Sequence, residues 1–250
     1  KASRAGRVSS ASIFGGETYD ARVDESWRLT GAADWPRAKI DRQFAGEMRP
    51  SAAEVGLGED LSLAPKGMHL IRGAVGANSN SYGIARTVGF FEDGDKVLIR
   101  PGEELVVDFG QNAAAVCDFD IEGPAGAVMK VRHAEMLNEG SGDKSRGNDG
   151  PEGTLYLANL RGIPAAVRYT LSEGRQRYRP AYSFFGFRYA GITVNKLVTL
   201  RRIRSIPVTS IAKDIETGTI ETGDADVNRL ISNIRWGMYS NYLSVPTDCP

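Results

Sequence analysis

Short segments with strand-like alternation, separated by turn residues, limit the fold more than any other feature of this sequence. Along 113–121, for example, Cys117 and Phe119 alternate with Asp118 and Asp120, so the two sets face opposite sides of a strand. Such segments recur at intervals of about 8–12 residues, a spacing typical of β-sandwiches. Glycine and proline supply 29 and 11 of the 250 residues, which favours turns and short strands. We therefore predict an all-β chain built as a β-sandwich.

Turn signals predict how some of these strands are connected. Glu92–Asp95 is expected to join strands at 85–91 and 96–99 as a hairpin. Gly123–Gly126 has the chemistry of a second turn, with Val128–Ala134 as the return strand of that hairpin.

The remaining strands are predicted from apolar alternation. Strands at 105–109 and 113–121 are separated by a predicted break at 110–112. Further strands are expected at 154–160, 167–171, 184–194, 198–208 and 215–220. In the aromatic strand at 184–194, Phe185 and Phe187 are predicted to share one face.

The last stretch of the chain departs from this β pattern and predicts one amphipathic helix. Its apolar residues recur at i, i+3, i+4 and i+7: Val227, Leu230, Ile231, Ile234 and Met238. Asp224 is placed to cap the first turn, and Pro246 requires the helix to end before it. Because a helix with one apolar face needs a packing partner, we interpret it as the first helix of a domain that continues beyond Pro250.

Composition excludes several classes of function. Lys plus Arg and Asp plus Glu both number 31, which argues against nucleic acid or an anionic membrane as the main partner. No apolar run approaches the roughly 20 residues of a membrane span. The two cysteines, Cys117 and Cys249, do not indicate a disulfide framework and leave the compartment open.

Few residues suggest chemistry. His69 and His133 are far apart and lack a second ligand at metal-binding spacing, so no metal or cofactor is predicted. His133 and Glu135 fall on one side of a strand and are interpreted as a hydrogen-bonded pair at its end. Gln111 and Asn112 are interpreted as a satisfied turn, with a ligand-facing pair as the alternative. No phosphate loop or nucleophile elbow is present.

Asp248, Trp27 and Trp35 each have two interpretations. Asp248 follows an extended, proline-fixed segment that leaves the predicted helix, where its carboxylate serves either as a structural cap or as a ligand contact. The two tryptophans are interpreted as packing anchors, and the alternative is a platform for stacking sugar rings.

An ordered set of motifs resembles the bacterial α-L-rhamnosidases of glycoside hydrolase family 78. The segments that carry the resemblance are Gly15–Arg22, Val107–Asn112, Gly123–Gly126, Arg132–Leu137, Asn159–Gly162, Tyr169–Leu171, Phe185–Tyr189 and Ser244–Pro250. The resemblance covers about residues 12–36 and 104–250. Each motif alone is weak, and the specificity comes from their order and spacing.

The resemblance implies a modular enzyme that hydrolyses terminal α-L-rhamnosyl bonds with inversion. Residues 1–45 would be the tail of an N-terminal β-sandwich, 46–103 a linker or β-rich region, and 104–222 a concanavalin-like β-sandwich. Residues 223–250 would begin a catalytic (α/α)6 barrel whose remainder is missing here. The resemblance also implies that Asp248 contacts the rhamnose.

In this interpretation the chain contains no catalytic residue, and its partners are a rhamnose-containing glycan and the missing barrel. One alternative is a stand-alone carbohydrate-binding or scaffolding β-sandwich, in which Trp27, Trp35 or the aromatics of 182–189 contact glycan. The other is a different barrel glycosidase or lyase with the same accessory sandwich. A periplasmic or secreted location is favoured over a cytoplasmic one.

Overall fold

The computed structural model describes residues 6–28, 46–47, 49–50, 55–211 and 216–247. The strands are β1 (Val8–Ser12), β2 (Gly16–Asp20), β3 (Gly56–Leu57), β4 (Gly67–Val75), β5 (Ile84–Phe91), β6 (Val97–Ile99), β7 (Glu104–Gly123), β8 (Val128–Ala134), β9 (Met136–Leu137), β10 (Leu155–Tyr156), β11 (Ala166–Thr170), β12 (Gly174–Tyr178), β13 (Phe185–Val194), β14 (Val198–Thr209), β15 (Tyr242–Leu243) and β16 (Val245–Pro246). Among the described residues there is one α-helix, α1 (Ala225–Asn241). The all-β prediction with one C-terminal helix is therefore confirmed.

Strand β7 organises the sheet because it belongs to both layers of a curled, twelve-stranded arrangement. Its first part, near Glu104–Asp108, lies between β4 and β13. Its last part, near Phe119–Gly123, lies between β12 and β14. The sheet extends from β13 through β8 and β11 to β2 and β1. One strand thus carries the chain from one layer to the other.

The main hydrophobic core fills the space between these layers. Its fully buried members come from most of the strands and include Leu105, Phe109, Phe119, Ile121, Met129, Phe187, Ile192 and Leu200. Phe185 and Phe187 both point into this core, as the predicted alternation of the aromatic strand requires. A smaller apolar cluster around Val106 lies on the outer side of β7, beneath the 135–160 loop.

Both predicted hairpins are wrong, although both turns form. The Asp95 amide donates to the Glu92 carbonyl, but β5 pairs with β4 and β6 pairs with β14. The Ala127 amide likewise donates to the Pro124 carbonyl, but β8 pairs with β11 and β13 instead of β7. A turn signal determines only that the chain reverses direction locally. Which strands then pair with each other depends on the burial of their apolar faces.

The predicted break at 110–112 is a bulge inside one continuous strand. Register against β13 shifts between Phe187 and Tyr189, opposite this stretch. Gly110 adopts a φ of 75°, a left-handed conformation that glycine tolerates and other residues rarely adopt. Bulges of this kind bend a strand and increase its twist, which is what β7 needs to pass between layers.

Two other predicted strands are mostly irregular. Of 154–160 only β10 is a strand, and it is followed by a short 3-10 turn at Ala158–Leu160. Residues 216–220 have no strand, and Ile215 lies outside the described residues. The apolar residues in these segments pack locally or stay exposed. The composition of the segments therefore did not determine whether they pair with another strand.

Helix α1 begins and ends close to the predicted positions. The Asp224 side chain accepts hydrogen bonds from the amides of Asp226 and Val227, 2.8 and 3.3 Å away. The predicted apolar face is turned away from the sheet, since Leu230 and Ile234 are 57% and 54% exposed. None of the helices in the described part of the chain combines the length and hydropathy needed to cross a bilayer.

Candidate functional site

A cleft of about 570 Å³ lies between helix α1 and strands β7 and β13 of the sheet. The sheet contributes Asn112, Ala114 and Glu135 to its walls, among others. The helix and the segment after it contribute Trp236, Ser240 and Thr247. Because the cleft lies where the predicted accessory domain meets the predicted first barrel helix, we treat it as the candidate site.

The inner face of α1 is held against the sheet by a small set of contacts. The Ser240 hydroxyl accepts a hydrogen bond from the Ala114 amide of β7 at 3.1 Å. Tyr239 is the one buried residue of the helix, and Trp236 packs against the main core. After the helix, the Ser244 amide donates to the Ser210 hydroxyl at 2.6 Å. These contacts fix the helix that forms one wall of the cleft.

The opposite wall carries a polar cluster that sequence reasoning did not assemble. The Asn112 amide group donates to Glu135 Oε1 at 3.0 Å, and the Asn159 amide group approaches Glu135 Oε2 at 3.4 Å. Gln111 donates instead to the Asn112 carbonyl. The Gln111–Asn112 pair is thus locally satisfied and also faces the cleft. Carboxylate and amide groups on one wall can exchange hydrogen bonds with hydroxyl groups of a ligand.

His133 does not pair with Glu135, so that prediction is wrong. The His133 ring is buried and donates from Nδ1 to the Ala165 carbonyl at 2.7 Å. It stacks on Phe185 and contacts the tilted ring of Phe187, at centroid distances of 4.8 and 4.7 Å. Burial lowers the pKa of His133 to about 4, against the opposing effect of the hydrogen bond to Ala165. Strand β8 ends at Ala134, and Glu135 beyond it turns to the surface. His133 is a neutral core residue.

Asp248, the predicted sugar contact, lies outside the described residues. The residue before it, Thr247, lines the cleft. The Thr247 amide and hydroxyl both donate to the carbonyl of Asn241, the last residue of α1, at 3.0 and 2.9 Å. The segment that leads to Asp248 is therefore tied to the end of the helix.

Neither Trp27 nor the two histidines line this cleft. Trp27 is half-buried in a short 3-10 turn, Ser26–Arg28, near the start of the chain, and Trp35 lies outside the described residues. Within the part of the chain that the structure describes, no group of three or more His, Cys, Asp or Glu residues is placed to hold a metal ion. The chemistry of the cleft is hydrogen bonding beside one aromatic ring, that of Trp236.

Two family models match consecutive parts of the chain. Residues 99–209 match the bacterial alpha-L-rhamnosidase concanavalin-like domain, and residues 215–250 match the bacterial alpha-L-rhamnosidase 6 hairpin glycosidase domain. The chain belongs to the bacterial α-L-rhamnosidase family. The cleft therefore lies between the stretch that matches the concanavalin-like domain and the stretch that matches the beginning of the six-hairpin glycosidase domain.

Individual relatives agree with this assignment. An α-L-rhamnosidase of Streptomyces avermitilis is 32% identical over 98% of this chain, and one of Formosa agariphila is 25% identical over 100% of it. The alignments cover 20% and 23% of those proteins, so the chain spans about a fifth of the length of the curated relatives it matches.

Solved structures of other α-L-rhamnosidases share the fold. A crystal structure of the Streptomyces avermitilis α-L-rhamnosidase complexed with L-rhamnose covers 97% of this chain and 20% of its own, with 27% identity and a TM-score of 0.66. The Dictyoglumus thermophilum α-L-rhamnosidase covers 98% of this chain and 23% of its own, with 25% identity and a TM-score of 0.70. These likenesses extend over the β strands and the terminal helix together.

Proposed function

We propose that this chain is the largely non-catalytic part of a longer glycoside hydrolase that removes terminal α-L-rhamnosyl residues with inversion. The observation that carries the proposal is the order of the two matches, a concanavalin-like domain followed directly by the start of a six-hairpin glycosidase domain. The proposed division is 1–45, 46–103, 104–222 and 223–250, as the tail of a preceding sandwich, a linker or β-rich region, the accessory sandwich and the start of the barrel.

The proposed partner of helix α1 is the remainder of that catalytic barrel. The outward face of the helix exposes a row of apolar side chains that the sheet does not use: Val227, Leu230, Ile234 and Met238. A contiguous apolar face on a helix is typical of a surface that another element covers. The inner face supplies the hydrogen bond from Ala114 to Ser240 and the packing of Trp236, so α1 would join the two domains.

We propose Asp248 as the residue of this chain that contacts the rhamnose. It directly follows Thr247, which lines the cleft and is bonded to the end of α1. A carboxylate accepts hydrogen bonds from adjacent sugar hydroxyl groups, and charge strengthens those bonds. The substrate would be a rhamnose-containing glycan or glycoside.

The 250-residue chain is expected to be inactive by itself. Inverting hydrolysis requires a general acid and a general base roughly 6.5–9.5 Å apart, with water between base and sugar. A barrel of twelve helices of about 11–12 residues needs well over 130 residues, far more than the segment from 223 onward supplies. We propose that the acid and the base belong to the part of the barrel that the full polypeptide supplies.

The first test is hydrolysis of an aryl α-L-rhamnoside. The 250-residue chain should release no phenol, whereas the full polypeptide that carries this sequence should release it. In that full polypeptide, Asp248→Asn should reduce kcat/KM by at least about tenfold, corresponding to loss of a charge-assisted hydrogen bond. Asp226→Asn, an exposed carboxylate in the first turn of α1, is the matched control and should change kcat/KM less than about twofold.

Other outcomes would contradict the proposal at different points. Hydrolysis by the 250-residue chain would show that the chain contains its own acid and base. Equal activity of the Asp248→Asn and Asp226→Asn enzymes would remove Asp248 from the sugar site. A stop codon directly after Pro250 would favour the alternative, a stand-alone sandwich module.

A further inference from the structure

A second groove lies on the outer face of the sheet, formed by other residues than those of the cleft at α1. It encloses about 650 Å³ and is lined by Lys66, His69, Phe90, Asp108, Leu137 and Tyr189, among others. A groove of this volume is in the range that small ligands occupy.

Strand register brings these side chains together. His69 of β4 lies directly opposite Phe90 of β5, and Gly67 and Tyr189 lie on either side of Asp108 in the neighbouring pairings of β7. The adjacent Met68 points into the main core, so His69 points the other way, toward the outer face. The groove is therefore formed by four neighbouring strands, β5, β4, β7 and β13.

Three aromatic residues line the groove, Phe90, Phe91 and Tyr189, and Phe90 is the most exposed of them. Phe90 is 81% exposed and lies opposite His69 of the paired strand β4. Tyr189 is half-buried, packs against the small apolar cluster under the 135–160 loop, and has the Arg188 guanidinium over its ring at 5.0 Å. Exposed aromatic rings with polar neighbours suit ligands that have an apolar and a polar side.

The polar groups of the groove are fixed in place. Asp108 accepts two hydrogen bonds from Arg188, both of 2.8 Å, and one from the Gly110 amide at 2.6 Å. Burial raises the pKa of Asp108, but Arg188 and the Gly110 amide outweigh it and hold the pKa below its usual value. The carboxylate is therefore ionised at neutral pH.

His69 adds a group that can accept a hydrogen bond. Its Nε2 lies 3.0 Å from the Gly153 carbonyl, and because a carbonyl only accepts, Nε2 carries the proton. In the tautomer with the proton on Nε2, Nδ1 is the acceptor of the ring. Asp108 and His69 together provide acceptors beside the aromatic rings, and Lys66 on the rim provides a donor.

We propose that this groove is a second saccharide-binding site, with Phe90 stacking on the apolar face of one sugar ring and with Asp108, His69 and Lys66 bonding its hydroxyl groups. The choice of a rhamnosyl unit as the sugar rests on the proposed function. A 6-deoxy sugar has a methyl group and an apolar ring face to place on Phe90, and adjacent hydroxyl groups for the polar side. The groove would hold a glycan at a distance from the catalytic domain.

The test is titration of the 250-residue chain with methyl α-L-rhamnopyranoside, followed by NMR chemical-shift changes. We expect saturable binding with shifts centred on β4, β5 and Tyr189. Phe90→Ala should weaken this binding by roughly fivefold or more. Tyr182→Ala removes another exposed aromatic, one that is 66% exposed and does not line the groove, and should leave the Kd unchanged.

Because Phe90 is largely exposed, Phe90→Ala should keep the wild-type unfolding temperature. A second variant, His69→Ala, tests the polar side of the groove. Absence of saturable binding would overturn the proposal, as would equal binding by wild type and both variants. Shifts confined to the cleft at α1 would overturn it too.

The two proposals fail separately. Binding at the groove, together with a full polypeptide that cleaves no rhamnoside, would overturn only the proposed function. Rhamnoside hydrolysis by the full polypeptide, with no binding at the groove, would overturn only the second site.

Discussion

At the residue scale, Asp118 shows how the outer face of β7 is stabilised. Its side chain is fully buried and accepts hydrogen bonds from Arg177, Arg179 and Arg202. Burial raises the pKa of Asp118, but the three guanidinium groups outweigh it and hold the pKa far below its usual value. The buried carboxylate is tolerated because it is paired and fully bonded.

We expect Asp118→Asn to lower the free energy of unfolding by about 2 kcal/mol at pH 7, measured by urea denaturation. Removal of a fully buried pair costs more, but the Arg177 side chain is 60% exposed and would regain water. Glu139→Gln, which breaks the surface pair with Arg146, is the control and should cost less than about 0.5 kcal/mol. Equal effects of the two substitutions would contradict the role assigned to Asp118.

The effect of Asp118→Asn on stability should also depend on pH in a defined direction. Because the folded pKa of Asp118 is lowered, its contribution is fully present above the unfolded pKa, about 3.9, and is lost as pH falls further toward the folded pKa. The stability difference between wild type and Asp118→Asn should therefore shrink below about pH 4. A difference that grows on acidification would contradict the pairing.

The sequence predicted part of this arrangement and could not predict the rest. Alternation along 113–121 correctly separated Phe119, which is in the core, from Asp118 on the other face. It could not show that the other face is also covered, since the arginines that bond Asp118 lie 59, 61 and 84 residues further along the chain. The cluster of Asn112, Glu135 and Asn159 was missed for the same reason, because its contacts also span distant segments.

At the scale of elements, β2 is attached to the sheet through a parallel pairing with β11. Gly16 begins this pairing with a φ of 89°, and a Cβ there would lie 1.8 Å from the Ala166 carbonyl oxygen. Gly174, with a φ of 83°, has no atom within 4 Å of the same position. The two glycines share a backbone conformation and differ in the space around them.

Gly16→Ala should therefore lower the free energy of unfolding by about 3 kcal/mol or more. The alanine would have to adopt a strained φ, and the backbone at Ala166 would also have to move. Gly174→Ala, the matched control, should cost about 1 kcal/mol from the strained φ alone. Urea denaturation gives both values, and hydrogen exchange should show lost protection in β1 and β2 for Gly16→Ala. Equal costs would mean that β2 is not held against Ala166.

Elements were predicted better than their partners. Strands β13 and β14 begin and end within about one residue of the predicted ranges at 184–194 and 198–208. The hairpins were wrong because a turn specifies only the residues within it, whereas β7 takes its neighbours from β4, β12, β13 and β14. Partner choice depends on burial of complete faces, which a local pattern does not contain.

At the scale of the whole molecule, the two faces of α1 differ in burial. Tyr239 is buried and Ser240 bonds to β7, so the inner face is integrated into the sheet. Leu230 and Ile234 on the other face are more than half exposed. An amphipathic helix normally directs its larger apolar face inward, and here that face points outward. This outward orientation supports the proposal that α1 is shared between two domains.

The double substitution Leu230→Ser with Ile234→Ser tests that account. In the 250-residue chain it should change the unfolding free energy by less than about 1 kcal/mol, since surface substitutions usually have small effects, and it should reduce any self-association in analytical ultracentrifugation. In the full polypeptide, where the barrel would bury both side chains, it should destabilise the folded state by about 4 kcal/mol or more. Trp236→Ala, on the inner face, should destabilise both forms. The cost of removing an apolar side chain depends on the environment that buries it. A large loss of unfolding free energy in the 250-residue chain, or no loss in the full polypeptide, would therefore show that α1 belongs to the sandwich alone.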